Sequence, residues 1–218
     1  MRQFLSPALA AMLLGGLAMA ADVPALVKQL KSSSAEERRT AAKELAEMRG
    51  DAKPAVNALV GALGDQDKFV RRFAAQALGE IGADARPGVK GLSSTLTKNG
   101  EAREVQQAAA IALGKIGSDS IPALVGALKD KKLDASVRSK AAEGIGLLGS
   151  AGGPAVGDLT KALGDPEVRM AAVGALAQMG STAKESEKAL RAMVEDKKNK
   201  RDKALMGAVK DALKKVKG

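Results

Sequence analysis

The chain is predicted to be all-α, an α-α superhelix of about five to six helical hairpins stacked in a row. Three observations predict it. A phrase recurs along the sequence: Ala77-Leu78-Gly79-Glu80-Ile81-Gly82 returns as Ala112-Leu113-Gly114-Lys115-Ile116-Gly117. Weaker copies stand around Leu45, Ile145 and Leu176, so that successive spacings from Leu45 are 33, 35, 32 and 31 residues. A period of that size marks one supersecondary unit per repeat, each needing its neighbours to cover its apolar side. Second, apolar residues within each unit fall at helical spacing in two runs. Third, there is no Cys, Trp or Tyr and only three Phe, so the core must be built from Leu, Val, Ile, Met and Ala, which suits closely packed thin helices.

Within a unit the first helix carries one apolar stripe. Val56, Leu59, Val60 and Leu63 form it in the second unit, and Ile121, Leu124, Val125 and Leu128 in the fourth. Pro54 fits the first turn of such a helix, where its missing N–H is not needed. The second helix of the second unit starts at Asp67, whose carboxylate can cap free N–H groups. Val70, Ala74, Ala77, Leu78 and Ile81 are its buried stripe, and Gly82 is expected to stop it as a left-handed cap. Ser34, Asp134 and Asp165 hold the same cap position in other units; Ser34 with Glu37 reads as a capping box, and Pro166 as a first helical residue. The pairs Ala74-Ala75, Ala109-Ala110 and Ala141-Ala142, with Gly79, Gly114 and Gly146, imply close approach of neighbouring helices. Such contact offsets the roughly 1 kcal/mol that a helical glycine costs.

The ends differ from the body. Met1-Arg2-Gln3 is a short basic head, Phe4 to Leu17 is mostly apolar, and Ala18-Met19-Ala20 supplies small residues for a peptidase. Residues 1–20 therefore read as a signal peptide cleaved before Ala21, and residues 21–218 as the solenoid. The stretch is too short to span a bilayer, which takes about 20 unbroken apolar residues. No Cys follows it to carry a lipid, so the mature protein is expected to be exported, periplasmic or secreted, and without disulfides. The formal charge is +10. From Ala183 onward 12 Lys and Arg face 6 Asp and Glu, so the excess gathers in the last unit.

These residues carry a resemblance. Val70-Arg71-Arg72-Phe73-Ala74-Ala75-Gln76-Ala77-Leu78-Gly79-Glu80-Ile81-Gly82 resembles the second helix of a HEAT repeat, of the short type also found in phycobilisome lyase-like proteins. Asp165-Pro166-Glu167-Val168-Arg169 is similar to the start of that helix. The resemblance implies a HEAT/armadillo-like solenoid whose second helices line a concave side, used mostly to bind proteins. It implies nothing about chemistry, because the motif describes packing. Arg38, Arg71, Arg138 and Arg169, with Gln106 in the third unit, occupy one column. They either grip an acidic partner or bond internally to loop carbonyls and capping acids; recurrence together with packing residues favours the internal ladder.

Catalysis has little to work with. With no His or Cys, only carboxylates could ligate a metal, and no calcium-type loop is present. There is no Gly-x-Ser-x-Gly elbow, and Gly149-Ser150-Ala151-Gly152-Gly153 lacks the Lys-Ser/Thr ending of a phosphate loop. Glu80 and Glu143 come from separate units and read as solvated surface. The chain has neither His nor Cys and few aromatics with which to hold a tetrapyrrole, so neither a cofactor nor enzyme activity is expected. Binding is. The positions Arg72, Phe73, Gln76, Gln107, Ile111, Leu147 and Met170 face away from the predicted stripes, and the apolar ones among them either form a protein-binding patch or tuck between helices. A second candidate is Lys197, Lys198, Lys200, Arg201 and Lys203, which either meet an anionic surface or simply cap the array with charge. Nucleic acid is disfavoured by the lack of interleaved aromatics. The sequence thus predicts a non-catalytic protein-binding scaffold or adaptor of unknown partner, with a peripheral envelope protein on an anionic surface as the alternative.

Overall fold

The computed structural model describes residues 22–218. The expected leader, residues 1–20, lies outside the described residues. Six helical pairs follow one another: α1 (Val23–Gln29) with α2 (Ala35–Met48), α3 (Val56–Ala62) with α4 (Lys68–Ile81), α5 (Val89–Thr97) with α6 (Arg103–Ile116), α7 (Ile121–Lys129) with α8 (Ala135–Leu147), α9 (Val156–Ala162) with α10 (Arg169–Met179), and α11 (Glu187–Glu195) with α12 (Lys203–Lys217). Short 3-10 turns join the units. No strand occurs among the described residues. The fold is the expected α-α solenoid.

The repeated leucine-type column explains why the units stack. Leu45, Leu78, Leu113, Ile145 and Leu176 are all completely buried, and they belong to one continuous core. Each such side chain contributes about 1.5–3 kcal/mol by leaving water, and none could be covered within its own hairpin. Second helices pack against one another along their length, whereas first helices meet their counterparts at few points. The closer-spaced layer must be the inner one, so α2, α4, α6, α8, α10 and α12 line the concave side.

What allows that spacing is the loss of side chains. Ala41, Ala42, Ala74, Ala75, Ala109, Ala110, Ala141 and Ala142 are fully buried where the inner helices cross. At Gly114 a Cβ would lie 2.6 Å from the Gly144 Cα, and at Gly79 one would lie 2.8 Å from the Ala112 Cα. Real Cβ atoms do not approach backbone so closely. These glycines are required by the packing, as their recurrence suggested.

Helix starts agree with expectation in three of four cases. The side chains of Ser34, Asp67 and Asp134 each accept a hydrogen bond from the backbone of the helix they precede. Ser34 makes only half of a capping box, since its own N–H donates to Ser32 Oγ at 3.1 Å. Asp165 Oδ1 also accepts a backbone hydrogen bond, from the Glu167 N–H at 3.1 Å, but the helix does not start there. Val168 takes a non-helical φ of −122°, which detaches the first turn, so α10 begins at Arg169 and Pro166 is not its first residue. Pro54 likewise lies in the 3-10 turn Arg49–Ala55, and α3 begins after it at Val56. At the far end of α4, Gly82 has the expected positive φ of 73°, but its ψ of −136° is not that of a left-handed cap. This is backbone only glycine enters without strain. Arg49 closes α2 at φ 53° and ψ −126°, the one non-glycine residue with positive φ among those described.

Two expectations follow. Gly114→Ala should lower stability by about 1–3 kcal/mol or more, since its methyl group meets backbone that cannot rotate away. Arg49→Gly should raise stability by about 1 kcal/mol, because relieved strain outweighs the added freedom of the unfolded chain. Urea midpoints at constant m-value measure both.

Candidate protein-binding groove

The arginine column is internal. Arg38 donates from Nη1 to the Ser32 and Ser33 carbonyls of its own unit, and from Nε and Nη2 to Asp65 of the next, at 2.7 and 2.9 Å. Arg71 repeats the pattern with the Asp65 and Gln66 carbonyls and with Glu101, at 3.0 and 2.5 Å. Arg138 reaches Asp165 at 2.6 Å and also Glu167. Arg169 donates to Asn199 Oδ1 at 3.1 Å. Gln106 holds only the Lys98 carbonyl, 3.2 Å away in its own loop. The Arg38 and Arg71 forks tie one interhelical loop to the next, a task that suits a planar guanidinium, and Arg138 and Arg169 reach the next loop only. The column is therefore not free to grip a partner.

The next residue also bonds forward on α2, α6 and α8. Arg39 Nε and Nη2 donate to the two oxygens of Asp67 at 2.9 and 2.5 Å, while Asp67 Oδ1 accepts from the Phe69 and Val70 amides. Gln107 Nε2 donates to Ser136 Oγ at 2.7 Å. Ser139 Oγ donates to the Glu167 carbonyl at 3.5 Å. Arg72 breaks the series. It makes no hydrogen bond or ion pair among the described residues, and its Nε is buried without a partner. The guanidinium lies instead over two rings, 4.8 Å from the Phe73 centroid and 5.4 Å from that of Phe69.

Of the residues singled out in the sequence, Arg72, Gln76, Gln107 and Ile111 come together. With Glu80, Glu104, Lys115 and Lys140 they line a depression of about 410 Å³ across α4, α6 and α8. Within it Lys115 pairs with Glu80 at 2.6 Å, and Lys140 with Glu143 at 2.6 Å. Phe73 lines the neighbouring depression between α2 and α4, where it is half-buried against the core. Ile111 is half-buried as well, so the expected run of exposed apolar groups shrinks to Leu147 and Met170 at its far end. Those two do not adjoin along the groove, because Leu147 ends α8 and Met170 opens α10. By helical rise such positions are about 12 Å apart along the helix direction. Phe69, 37% exposed, is the apolar inner-face residue that sequence reasoning missed. Its spacing of four from Phe73 was the available signal, since such residues share one helical face.

At the basic end Lys197, Lys198, Lys200, Arg201 and Lys203 are all exposed. The loop carrying them is pinned by buried Asn199, which donates to the Met193 carbonyl at 3.0 Å besides receiving Arg169. Among the described residues no cluster of three or more His, Cys, Asp or Glu side chains could hold a metal ion, and no helix is long and apolar enough to cross a membrane.

A family model described as HEAT repeats matches residues 23–91, 89–163 and 131–209. The chain belongs to the HEAT-repeat family. No curated protein matches it significantly. Among solved structures, this HEAT-repeat chain is similar to an engineered protein at 28% identity and a TM-score of 0.62, over 90% of this chain and 96% of that one. It is similar to the complex of CpcE and CpcF of phycocyanin lyase from Nostoc sp. PCC7120 at 26% identity and a TM-score of 0.61, over 81% of this chain and 71% of that one. A designed armadillo repeat protein in complex with the peptide (KR)4 shares the fold at 21% identity and a TM-score of 0.61, over 90% and 100% of the two chains.

The HEAT ladder should be measurable. Glu101 has a side chain only 1% exposed against Arg71, so Arg71→Ala should cost about 3 kcal/mol by leaving a buried charge with only the longer Lys98 contact at 3.6 Å, while the double change Arg71→Met/Glu101→Leu should recover most of it. The ladder acids should also govern acid unfolding. Hydrogen bonds from Lys131 and Arg138 hold Asp165 well below the usual carboxylate range, and that from Arg39 does the same for Asp67. Burial pushes Glu101 up, but the Arg71 hydrogen bond and the Ala102 N–H outweigh it and leave it lowered. Lowered folded-state values mean that this stabilisation is complete above the unfolded values of about 4 and is lost as pH falls below them. Asp165→Asn should therefore flatten the decline in stability between about pH 5 and pH 2 in urea titrations.

Proposed function

We propose that this HEAT-repeat protein is a non-catalytic scaffold or adaptor that holds a protein partner in the concave groove across α4, α6 and α8. The observation that carries the reading is the groove around Arg72. It joins an unpaired guanidinium, two amides (Gln76 and Gln107), half-buried Ile111 and mixed charge on a rigid inner face. Arginine and aromatic side chains supply much of the energy at protein interfaces; Arg72 lines this groove, and Phe69 and Phe73 lie beside it in the adjoining depression. The solenoid fold adds support, since the designed armadillo repeat protein of the same fold is seen with a peptide. Residues 1–20 act in this reading as a cleaved export signal, which places the scaffold in the periplasm or outside the cell. The five exposed cations Lys197, Lys198, Lys200, Arg201 and Lys203 favour a second reading, a peripheral envelope protein resting on an anionic surface.

Cross-linking capture from the envelope and secreted fractions separates the two. Gln76→Arg/Ala108→Arg fills the groove without touching the core column. A partner held by the wild type in about 0.5 M salt, where screening acts over only a few ångströms, and lost by that double variant supports the groove. Material released by that salt, and lost instead with Lys197→Gln/Lys198→Gln/Lys200→Gln, supports the anionic surface and counts against the groove.

A further inference from the structure

The inner face already contains one seat for a carboxylate. At the junction of the first and second units, Asp67 lies between the Arg39 fork and the opening amides of α4, with the Phe69 ring 5.0 Å from the Arg39 guanidinium. At the following junction most of that arrangement recurs. Arg72 stands where Arg39 stands, Phe69 and Phe73 flank it, and α6 opens beside it. The acid is missing from the sequence. Ala102 precedes α6 where Asp67 precedes α4, and it has no side chain with which to cap the helix. Glu101, one residue earlier, is turned to Arg71 and to the Ala102 N–H.

Three features make this more than a gap in a ladder. The only two aromatic residues of the described chain flank the Arg72 guanidinium, Phe69 lying between it and Arg39. The Arg72 Nε is buried and unpartnered, as are those of Arg138 and Arg169, but Arg72 alone of the three makes no hydrogen bond through its terminal nitrogens, and with Lys68, Phe69, Glu104 and Val105 it lines a slot of about 170 Å³. A half-buried cation with no counter-charge in contact is costly, and a partner that brings one regains that cost on binding. Lys68 adds a second cation at the rim, 5.3 Å from the Phe69 centroid. Glu104 opposes it as the one acid lining the slot.

We infer that the Arg72 slot is the anchor of the groove, and that it seats an Asp or Glu side chain from an extended acidic segment of the partner. The inference rests on the groove reading above and names the chemistry of what the groove takes. The carboxylate accepts end-on hydrogen bonds from the terminal nitrogens of Arg72. The Phe69 and Phe73 rings hold the guanidinium in place, so little side-chain entropy is lost on binding. Lys68 screens Glu104 and draws the acidic segment toward the slot.

The test uses the 15N-labelled protein and an acetylated, amidated Gly-Glu repeat octapeptide, with the Gly-Gln octapeptide as its neutral counterpart. Burial slows exchange of the Arg72 Nε–H, whose NMR signal is assigned by its disappearance in Arg72→Gln. The acidic peptide should shift that signal and the Glu104 and Val105 amides to saturation, and the Gly-Gln peptide should not. Arg72→Lys, checked by thermal melt for an intact fold, keeps the charge but loses the fork, and should weaken binding about tenfold. Glu104→Gln should tighten it about threefold by removing the opposing charge. The inference is overturned if the three signals stay still at millimolar acidic peptide, if the neutral peptide moves them equally, or if the shifts are confined to Lys197–Lys203. A partner still captured by Arg72→Lys as by the wild type, yet lost by Gln76→Arg/Ala108→Arg, also overturns it while leaving the groove reading intact. If the double variant captures that partner too, the groove reading falls with it.

Discussion

Gly79, Gly114, Gly144 and Gly146 stand where a methyl group would run into the backbone of the adjacent inner helix. With the buried alanine pairs beside them they let the second helices of successive units approach more closely than the first helices can. Everything else about the solenoid follows from that difference in spacing. One layer is short and the other long, so the stack curves toward the layer of small residues. The curve gathers the remaining polar positions of α4, α6 and α8 along one groove. A glycine inside a helix weakens that helix, and here the loss is recovered between helices, where dispersion and burial act over many atoms.

Close helices leave loops that must also stay in step, and the arginine column does that work. The Arg38 and Arg71 forks satisfy carbonyls of one loop and an acid of the next, and Arg138 reaches two acids of the next, so neighbouring units are joined by charge-assisted hydrogen bonds as well as by leucines. This has an electrostatic consequence. Arg38, Arg39, Arg71, Arg138 and Arg169 all have partners inside the array. The excess positive charge gathers in the last unit, where 12 Lys and Arg face 6 Asp and Glu, and Arg72 adds a guanidinium without an ion pair on the inner face. A solenoid whose column arginines are held by internal hydrogen bonds can present Arg72, which makes none, as a distinct feature of its inner face.

Local chemistry was legible where the determining contacts lie within one helix. The capping roles of Ser34, Asp67 and Asp134, the leucine column and the alanine pairs could all be read in order, because each depends on neighbours three or four residues away. Asp165 misled for a physical reason. It carries the right residue type and spacing, and its Oδ1 accepts from the Glu167 N–H, but its Oδ2 is drawn to Lys131 and Arg138 of the preceding unit, and Val168 leaves helical geometry. Pro54 and Gly82 were placed correctly as boundary residues, yet the tight 3-10 turns between units changed the geometry around both. The exposed apolar run was legible only in part. Rotation of α4 and α6 turns Phe73 and Ile111 partly inward and leaves Phe69 outward, and such rotation is set by packing between units rather than by spacing along one of them.

The sequence by itself determined that this protein is an array. A period of about 33 residues, with small residues at one position and leucine at another, has no other way to bury its apolar faces. It also determined that the arginine column travels with the packing residues. Only the tertiary structure decided which polar residues are left over. Arg39 and Arg72 are equivalent in sequence, but one meets Asp67 and the other meets Ala102 across a junction about 30 residues away. Pairing between units depends on distances across the stack, and those exist only once the helices have packed.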